Sequence, residues 1–240
     1  MRIAVLSDIH GNLPALEAVL DALRPYDAVW QLGDIVGYGP QPDEVVDRLA
    51  SEKATGVRGN HDAAALGEIE TDNFNDDARI AIEWTAGRIS PRTHDWLASL
   101  PPRSVCLPFT LVHGSPRDPT WEYVFTSTVA RANLKAFDTS HCLVGHTHMP
   151  AAYREHGERM EAMQPEDGAV LELDDRRVIA NPGSVGQPRD GDPRASAMIF
   201  DTEALTLEWR RVEYPIERVQ KLMKELKLPV RLVARLAYGL

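Results

Sequence analysis

The sequence has only two cysteines, Cys106 and Cys142, among its 240 residues. Their spacing matches no metal-binding motif, and each lies within a short apolar run. This pattern argues against a structural disulfide and predicts buried free thiols.

Long hydrophobic runs are also missing from the chain. No segment approaches the roughly 18–20 consecutive apolar residues that a membrane-spanning helix needs. The sequence opens with one short apolar run, residues 3–6, and shows no pattern of a secretory signal peptide. We therefore expect a cytoplasmic protein.

Positive charge is scarce, since 26 Lys and Arg residues stand against 36 Asp and Glu residues and leave a formal net charge of −10. Such a chain repels a phosphate backbone and an anionic lipid surface, so we expect no stable nucleic-acid or membrane partner. The same charge makes bound divalent cations useful, because they would reverse the local field where an anionic substrate docks.

The composition that remains is that of an ordinary globular protein, with 43% hydrophobic and 26% charged residues. There is no internal repeat, low-complexity run or linker, so we predict a single domain over residues 1–240. Its helical tail, residues 215–240, is basic and amphipathic. We favour packing of this tail on its own domain over binding to a partner or membrane, and a homo-oligomer contact is compatible with such packing.

The order of predicted elements indicates an α/β protein. Helices at 13–23 and 43–50 alternate with short strands at 3–6, 27–32 and 54–57, as in a wound α/β sheet. Residues 63–100 are predicted to be mostly helical, with N-caps at Asn75 and Ser90. Alternating segments at 151–155, 159–163, 169–173 and 177–180 predict an antiparallel meander, and strands at 195–200 and 205–212 are expected to complete a second sheet.

Five strand-like runs end in Asp, Asn or His side chains. The groups are Asp8-Ile9-His10, Gly33-Asp34, Gly59-Asn60-His61-Asp62, His113-Gly114 and Gly145-His146-Thr147-His148. Each alone has an ordinary explanation as a turn or a helix cap. Sites in open α/β sheets form at the carboxyl ends of strands, so five such ends in series predict a convergent metal site. Asp8 and His10 are two residues apart, and in extended chain they would point the same way.

This ordered series closely resembles the calcineurin-like metallophosphoesterases. The resemblance implies a four-layer α/β/β/α sandwich, in which two mixed sheets face each other and helices flank them. It also implies a hydrolase with two divalent transition metal ions, whose bridging hydroxide attacks phosphorus. Mixed nitrogen and oxygen ligands suit Mn²⁺, Fe, Co²⁺, Ni²⁺ or Zn²⁺, and the sequence does not choose among them.

The resemblance assigns roles to individual residues. The implied ligands form two sets that share one bridging carboxylate, Asp34: Asp8, His10 and His148 for one ion, and Asn60, His113 and His146 for the other. His61 would protonate the leaving oxygen or stabilise the phosphoryl charge. Asp62 either orients His61 or caps the next helix. Asn12, close to Asp8, is a weaker candidate for donating to the substrate phosphate.

The segment after Asp34 departs from part of the superfamily. Protein phosphatases and symmetrical dinucleoside tetraphosphatases carry Asp-Arg-Gly there, whereas residues 35–39 of this chain read Ile-Val-Gly-Tyr-Gly. This departure favours the small prokaryotic phosphodiesterase branch, with a small phosphate ester or a nucleotide as substrate. The alternatives are a phosphomonoesterase or protein phosphatase, a nucleotide pyrophosphatase, and a non-catalytic protein-binding scaffold of the same fold, which would not need His61.

Two loops are candidate walls of a substrate pocket. Trp121 and Tyr123 either stack on a base or aryl group or pack their loop onto the body. Arg189 and Arg194 either line the pocket or stay in solvent. For Asn-Pro-Gly-Ser at residues 181–184 the sequence predicts a tight turn near the site and no further role.

Overall fold

The computed structural model of the protein describes residues 1–106 and 108–240. Its strands are β1 (Arg2–Leu6), β2 (Ala28–Gln31), β3 (Thr55–Gly56), β4 (Arg103–Cys106), β5 (Phe109–Val112), β6 (His141–Leu143), β7 (Pro150–His156), β8 (Arg159–Met163), β9 (Val170–Glu172), β10 (Val178–Pro182), β11 (Ala195–Asp201) and β12 (Thr206–Val212). Its α-helices are α1 (Leu13–Ala22), α2 (Pro42–Ser51), α3 (Asn60–Ala65), α4 (Asp76–Ala86), α5 (Pro91–Ser99), α6 (Ser127–Asn133), α7 (Ile216–Glu225) and α8 (Val230–Arg235). A 3-10 helix, Leu134–Ala136, follows α6.

The described strands form two mixed six-stranded sheets. The first has the order β3-β2-β1-β11-β12-β9, and the second has the order β4-β5-β6-β10-β7-β8. β1, β2 and β3 are parallel neighbours in the first sheet, and β5, β6 and β10 are parallel neighbours in the second. Each sheet thus has a parallel part whose strands end at one common edge.

Alternation of side chains along the strands explains the layers. Ile3 and Val5 of β1 belong to the core between the two sheets, which includes residues of both. Ala4 and Leu6 point the other way, into the core under α1, α2, α7 and α8. Cys142 of β6 lies in a third core, beneath α6. Sheets buried on both faces give the α/β/β/α sandwich that the resemblance implied, and the fold prediction is confirmed.

The strand assignments after residue 148 were partly wrong. The strands expected to complete a second sheet join the first one, because β11 pairs with both β1 and β12. β9 leaves the expected meander and pairs with β12, whereas β10, β7 and β8 extend the sheet of β6. Period-two alternation identifies which face is buried, but it does not identify which distant strand supplies the partner edge.

Predictions from local signals fared better. Asn75 and Ser90 cap α4 and α5, where their side chains accept hydrogen bonds from the backbone at 3.0 and 3.2 Å. The C-terminal tail packs on the first sheet's helical side, where Val219 and Leu232 are buried. Both cysteines are free, with Cys142 buried as predicted and Cys106 only half-buried. No helix in the described part of the chain is long and apolar enough to cross a membrane.

Candidate metal centre

The polar side chains that follow the strands of the two sheets lie close together. Parallel β1, β2 and β3 lead to Asp8, Asp34 and Asn60, while β5 and β6 lead to His113 and to the segment with His146 and His148. All seven predicted ligands are 4% exposed or less: Asp8, His10, Asp34, Asn60, His113, His146 and His148. So many buried polar groups at one sheet edge are costly unless something binds between them.

One group consists of Asp8, His10, Asp34 and His148, whose nearest donor atoms all lie within 4.8 Å of one another. Nε2 of His10 lies 3.2 Å from Nε2 of His148 and 3.6 Å from Oδ2 of Asp34. Oδ1 of Asp8 lies 3.3 Å from Nε2 of His148. Two imidazoles and two carboxylates in this arrangement are suited to a divalent transition metal.

A second group, Asp34, His113 and His146, also fits within 4.8 Å. Nε2 of His113 lies 3.1 Å from Nδ1 of His146, 3.0 Å from Oδ1 of Asn60 and 3.3 Å from Oδ2 of Asp34. Oδ2 of Asp34 therefore faces both groups, and it accepts no hydrogen bond from any residue that the structure describes. A buried carboxylate oxygen in this position is available to a cation bound by either group.

Backbone carbonyls fix the tautomers of three histidines. Nδ1 of His10 lies 3.1 Å from the carbonyl of Val36, and Nδ1 of His148 lies 2.6 Å from that of Gln187. Nδ1 of His113 lies 2.8 Å from the carbonyl of Leu32. A proton on each Nδ1 satisfies these carbonyls and directs Nε2 into the site, where it has a free lone pair whenever the ring is neutral. Lone pairs that face each other repel, so these residues fit a bound cation.

The pKa values of these residues in the absence of a metal also bear on cation binding. Burial lowers the pKa of His10, His146 and His148 well below the ordinary value, so these rings are neutral, as candidate metal ligands must be. Burial also lowers the pKa of His113, but the carboxylates of Asp34 and Asp8 outweigh it and raise this pKa to about 9. Burial raises the pKa of Asp8 to about 7. Metal binding would displace protons from His113 and Asp8, which makes affinity for a metal fall as pH falls.

The backbone brings the ligands together in a way that the sequence did not predict. Asp8, His10 and Asp34 have φ angles of 52°, 50° and 51°, and His146 and His148 have 65° and 60°. The expectation of extended chain was therefore wrong, because these residues lie in the left-handed region. Each such non-glycine residue costs about 1–3 kcal/mol and persists only where its surroundings hold it.

Two glycines are required because the ligand loops approach each other closely. A Cβ atom at Gly59 would lie 2.1 Å from Oδ1 of Asp34, and one at Gly145 would lie 2.0 Å from Oγ of Ser7. A side chain at Gly59 would push Asp34 out of place. One at Gly145 would displace Ser7, whose Oγ donates to the candidate ligand Asp8. These two positions next to the candidate ligands are therefore glycine because a side chain has no space there.

His61 lies at the start of α3, beside the two groups. Its backbone N–H donates to Oδ1 of Asp34 at 2.8 Å, and its ring packs 4.3 Å from the ring of Tyr38. The buried Nδ1 of His61 has no hydrogen-bond partner among the described residues. Asp62 accepts hydrogen bonds from the backbone N–H groups of Ile35, Val36 and Gly59. Of its two predicted roles, the structure therefore supports the capping role.

A small cavity of about 90 Å³ opens beside these residues. Asp34, Asn60, His61, His146 and His148 contribute to its lining. Further lining comes from Tyr38, Asn73, Phe74, Asn75, Ala78, Trp121, Tyr123 and Arg189. The cavity is the place where a substrate could meet the metal ligands.

The other candidate residues divide between this cavity and the protein body. Tyr123 stacks on His146, with ring centroids 3.9 Å apart, and Trp121 packs against Phe74 at 5.0 Å. Arg194 lies elsewhere and pairs with Asp192 at 2.7 Å.

Asn12 is not among the residues that line the cavity. Its Oδ1 accepts from the N–H of Ala15 at the start of α1, and its Nδ2 donates to the carbonyl of Gly186 at 3.0 Å. A contact with a phosphate would require Nδ2 to leave Gly186.

Sequence reasoning missed the residues that brace the ligand loops. Nδ2 of Asn181 donates to the carbonyl of Gly145 at 2.7 Å and to Oγ1 of Thr147 at 3.0 Å. Oγ of Ser184 donates to the carbonyl of Asp8 at 2.7 Å. The signal was present in the Asn-Pro-Gly-Ser segment, whose polar side chains directly follow a strand, but it was interpreted only as a turn.

Comparison with known proteins identifies the family. Residues 1–205 match the family model of the calcineurin-like phosphoesterase superfamily domain. The chain therefore belongs to that superfamily, and it carries a buried Asp and His cluster suited to divalent metals.

Relatives span nearly the whole chain. An uncharacterized protein of Methanocaldococcus jannaschii is 38% identical, over 99% of this chain and 98% of its own length. Phosphodiesterase YfcE of Escherichia coli is 28% identical, over 86% of this chain and 91% of its own length. The crystal structure of a metallophosphoesterase from Sphaerobacter thermophilus is similar with a TM-score of 0.92 and 47% identity, covering 100% of this chain and 99% of that one.

Removal of divalent ions is expected to lower the melting temperature by about 8–16 °C. Ions at about 1,000 times their Kd stabilise the folded state by about 4 kcal/mol, and in a chain of this size 1 kcal/mol corresponds to about 2–4 °C. The measurement is a thermal melt of chelator-treated protein before and after Mn²⁺ is added.

Ca²⁺ at the same concentration is the control for this melt. Ca²⁺ takes oxygen ligands, so the histidine-rich site should respond to it weakly. Equal melting temperatures with and without Mn²⁺ would contradict metal binding at this site.

Proposed function

We propose that this protein is a metal-dependent phosphodiesterase with a dinuclear centre. The observation that carries the proposal is Oδ2 of Asp34, which faces two buried groups of candidate ligands at the edge of a cavity. Asp8, His10 and His148 would hold one ion, and Asn60, His113 and His146 the other. Mn²⁺, Fe, Co²⁺, Ni²⁺ and Zn²⁺ are all compatible with this donor set.

When bound, two such ions neutralise phosphoryl oxygens and lower the pKa of water. The protein's own groups position the ester beside them. Tyr38, Phe74 and Trp121 contribute aromatic rings to the lining of the cavity. A low local dielectric strengthens the attraction between the anionic ester and any positive group in the site.

His61 is proposed as the acid that protonates the leaving oxygen. Burial lowers its pKa to about 4, so the free ring is neutral near pH 7. A phosphate ester in the cavity brings negative charge next to the ring and raises this pKa. The role of His61 therefore depends on bound substrate, which would meet the ring in the cavity that His61 lines.

A phosphodiester is the preferred substrate class for two reasons. The chain lacks the arginine that phosphatases of this superfamily carry shortly after the Gly-Asp pair. One of its relatives, YfcE, is named a phosphodiesterase. We propose a small phosphate ester or a nucleotide as substrate, of which the phosphate group would occupy the small cavity that Trp121 and Tyr123 help to line. We also propose that residues 1–240 act as a single domain, since the C-terminal helices share a core with α1.

The test is an assay of metal-stripped protein on bis(p-nitrophenyl) phosphate and on p-nitrophenyl phosphate, with and without Mn²⁺. We expect Mn²⁺-dependent hydrolysis of the diester that exceeds hydrolysis of the monoester. Faster hydrolysis of the monoester would replace the proposal with a phosphatase. Bound metal without turnover of either ester would favour a scaffold or a narrow natural substrate.

A further inference from the structure

Arg189 brings a permanent positive charge to the cavity beside the candidate metal ligands. Among the lining residues that the structure describes, it is the one with a permanent positive charge. The other titratable lining groups are Asp34, His61, His146, His148 and two tyrosines. An anionic ester that enters this cavity therefore meets one fixed cation of the protein itself.

The loop after β10 holds this guanidinium next to a candidate metal ligand. The backbone N–H of Arg189 donates to the carbonyl of His148 at 3.3 Å. Nη2 of Arg189 donates to Oε1 of Gln187 at 2.8 Å, while the carbonyl of Gln187 accepts from Nδ1 of His148. Arg189 and His148 are thus positioned by the same residue, which fixes the distance between the guanidinium and the metal ligands.

Helix α8 also contacts Gln187. Nη1 of Arg235, in α8, lies 3.3 Å from Oε1 of Gln187. Gln187 is 1% exposed, so its side chain has little freedom to turn away. A guanidinium held on a buried amide loses less conformational entropy when it binds a ligand than a solvated one.

One donor of Arg189 is left without a partner. Its Nε is buried and makes no hydrogen bond to any residue in the described ranges. A buried N–H without an acceptor costs about 1–3 kcal/mol, so a side-chain movement that brings this N–H to a phosphoryl oxygen in the cavity would be favourable. In the same loop, by contrast, Arg194 uses Nε and Nη2 on the carboxylate of Asp192.

Tyr38 places Arg189 next to residues 35–39, where phosphatases of the superfamily carry an arginine and this chain does not. Residues 35–39 lack an arginine, but they supply Tyr38, whose ring centroid lies 5.6 Å from Cζ of Arg189. The aromatic face supports the guanidinium through a cation–π contact. A loop far along the chain thereby brings positive charge to the place next to residues 35–39.

We propose that Arg189 binds the phosphoryl oxygens of the substrate and is the phosphate-binding cation of this site. The inference rests on the proposed phosphoesterase function. Guanidinium N–H groups match two oxygens of one phosphate and form charge-assisted hydrogen bonds, which a lysine ammonium does less well. Gln187, Tyr38 and Arg235 are positioning residues that act through Arg189.

The test measures binding of inorganic phosphate to the Mn²⁺-loaded protein by calorimetry. Arg189→Met is expected to weaken phosphate binding by about 10–100-fold, as loss of a hydrogen bond to a charged group does, and to raise KM for the diester in parallel. Arg189→Lys should restore part of the affinity. Arg194→Met, in the same loop but paired with Asp192, is the matched control and should leave phosphate binding unchanged.

The metal content of Arg189→Met distinguishes two roles of Arg189, a direct contact with phosphate and structural support of His148. Unchanged phosphate affinity and KM in Arg189→Met, at normal metal content, would overturn the inference and leave the proposed function intact. Loss of metal from Arg189→Met would also overturn it, since Arg189 would then support the ligand loop. If the wild type binds phosphate through Arg189 but hydrolyses no ester, the proposed phosphodiesterase activity fails, and only the binding of phosphate by Arg189 stands.

Discussion

Replacement of Asp34 by asparagine is expected to reduce phosphodiester hydrolysis by at least about 10³-fold, the upper end of what loss of one electrostatic group costs. Oδ2 of Asp34 lies 3.6 Å from Nε2 of His10 and 3.3 Å from Nε2 of His113, so it faces both groups of ligands. Oδ1 accepts the N–H of His61, and an asparagine would keep its oxygen on that side. The amide nitrogen would then take the bridging position, where it has no lone pair to offer a metal.

The second readout for Asp34→Asn is metal content. We expect the purified variant to bind no more than one Mn²⁺ per chain where the wild type binds two. Asp95→Asn, at a carboxylate that is 86% exposed, controls for the loss of one negative charge. Full activity of Asp34→Asn with two bound ions would contradict the bridging role.

The loss of activity when His61 is replaced by glutamine is expected to depend on the leaving group of the ester. For a diester with an alkoxide leaving group, hydrolysis should fall by about 10²–10⁴-fold, the range of general acid catalysis. For a nitrophenyl ester the loss should be less than about tenfold, because nitrophenolate leaves without a proton. The ring of His61 lines the cavity, which is where the leaving oxygen of a bound ester would lie.

The measurement is kcat for both esters at saturating Mn²⁺. His94→Gln serves as the matched control, since the side chain of His94 is 51% exposed and lies on α5. An equal loss for both leaving groups would show that His61 stabilises charge or positions Asp34, and would refute its role as the acid.

Local chemistry made much of this protein predictable. The N-caps at Asn75 and Ser90 could be predicted because the capping side chain and the N–H it accepts are three residues apart. The polar strand ends could be predicted because a short apolar run followed by Asp, Asn or His is visible within ten residues. These signals depend on neighbours in the chain, so a sequence alone carries them.

Pairing between distant strands could not be predicted in the same way. β11 was assigned to the wrong sheet, although its alternation was recognised, because its place beside β1 depends on a partner nearly 200 residues away. The two sheets bury their shared face only when β11 and β12 complete the first sheet, and this condition belongs to the whole core rather than to any segment.

The sequence by itself determined which side chains the site contains, and the tertiary structure decided how they are arranged. Asp8 and His10 converge through left-handed backbone that the loop of Asp34 and the buried Ser184 stabilise from outside. Asn181 stabilises the loop of His146 in the same way. Arg189 lines the cavity with its guanidinium held by Gln187. Such contacts join residues far apart in the chain, and their free energy exists only once the core has packed.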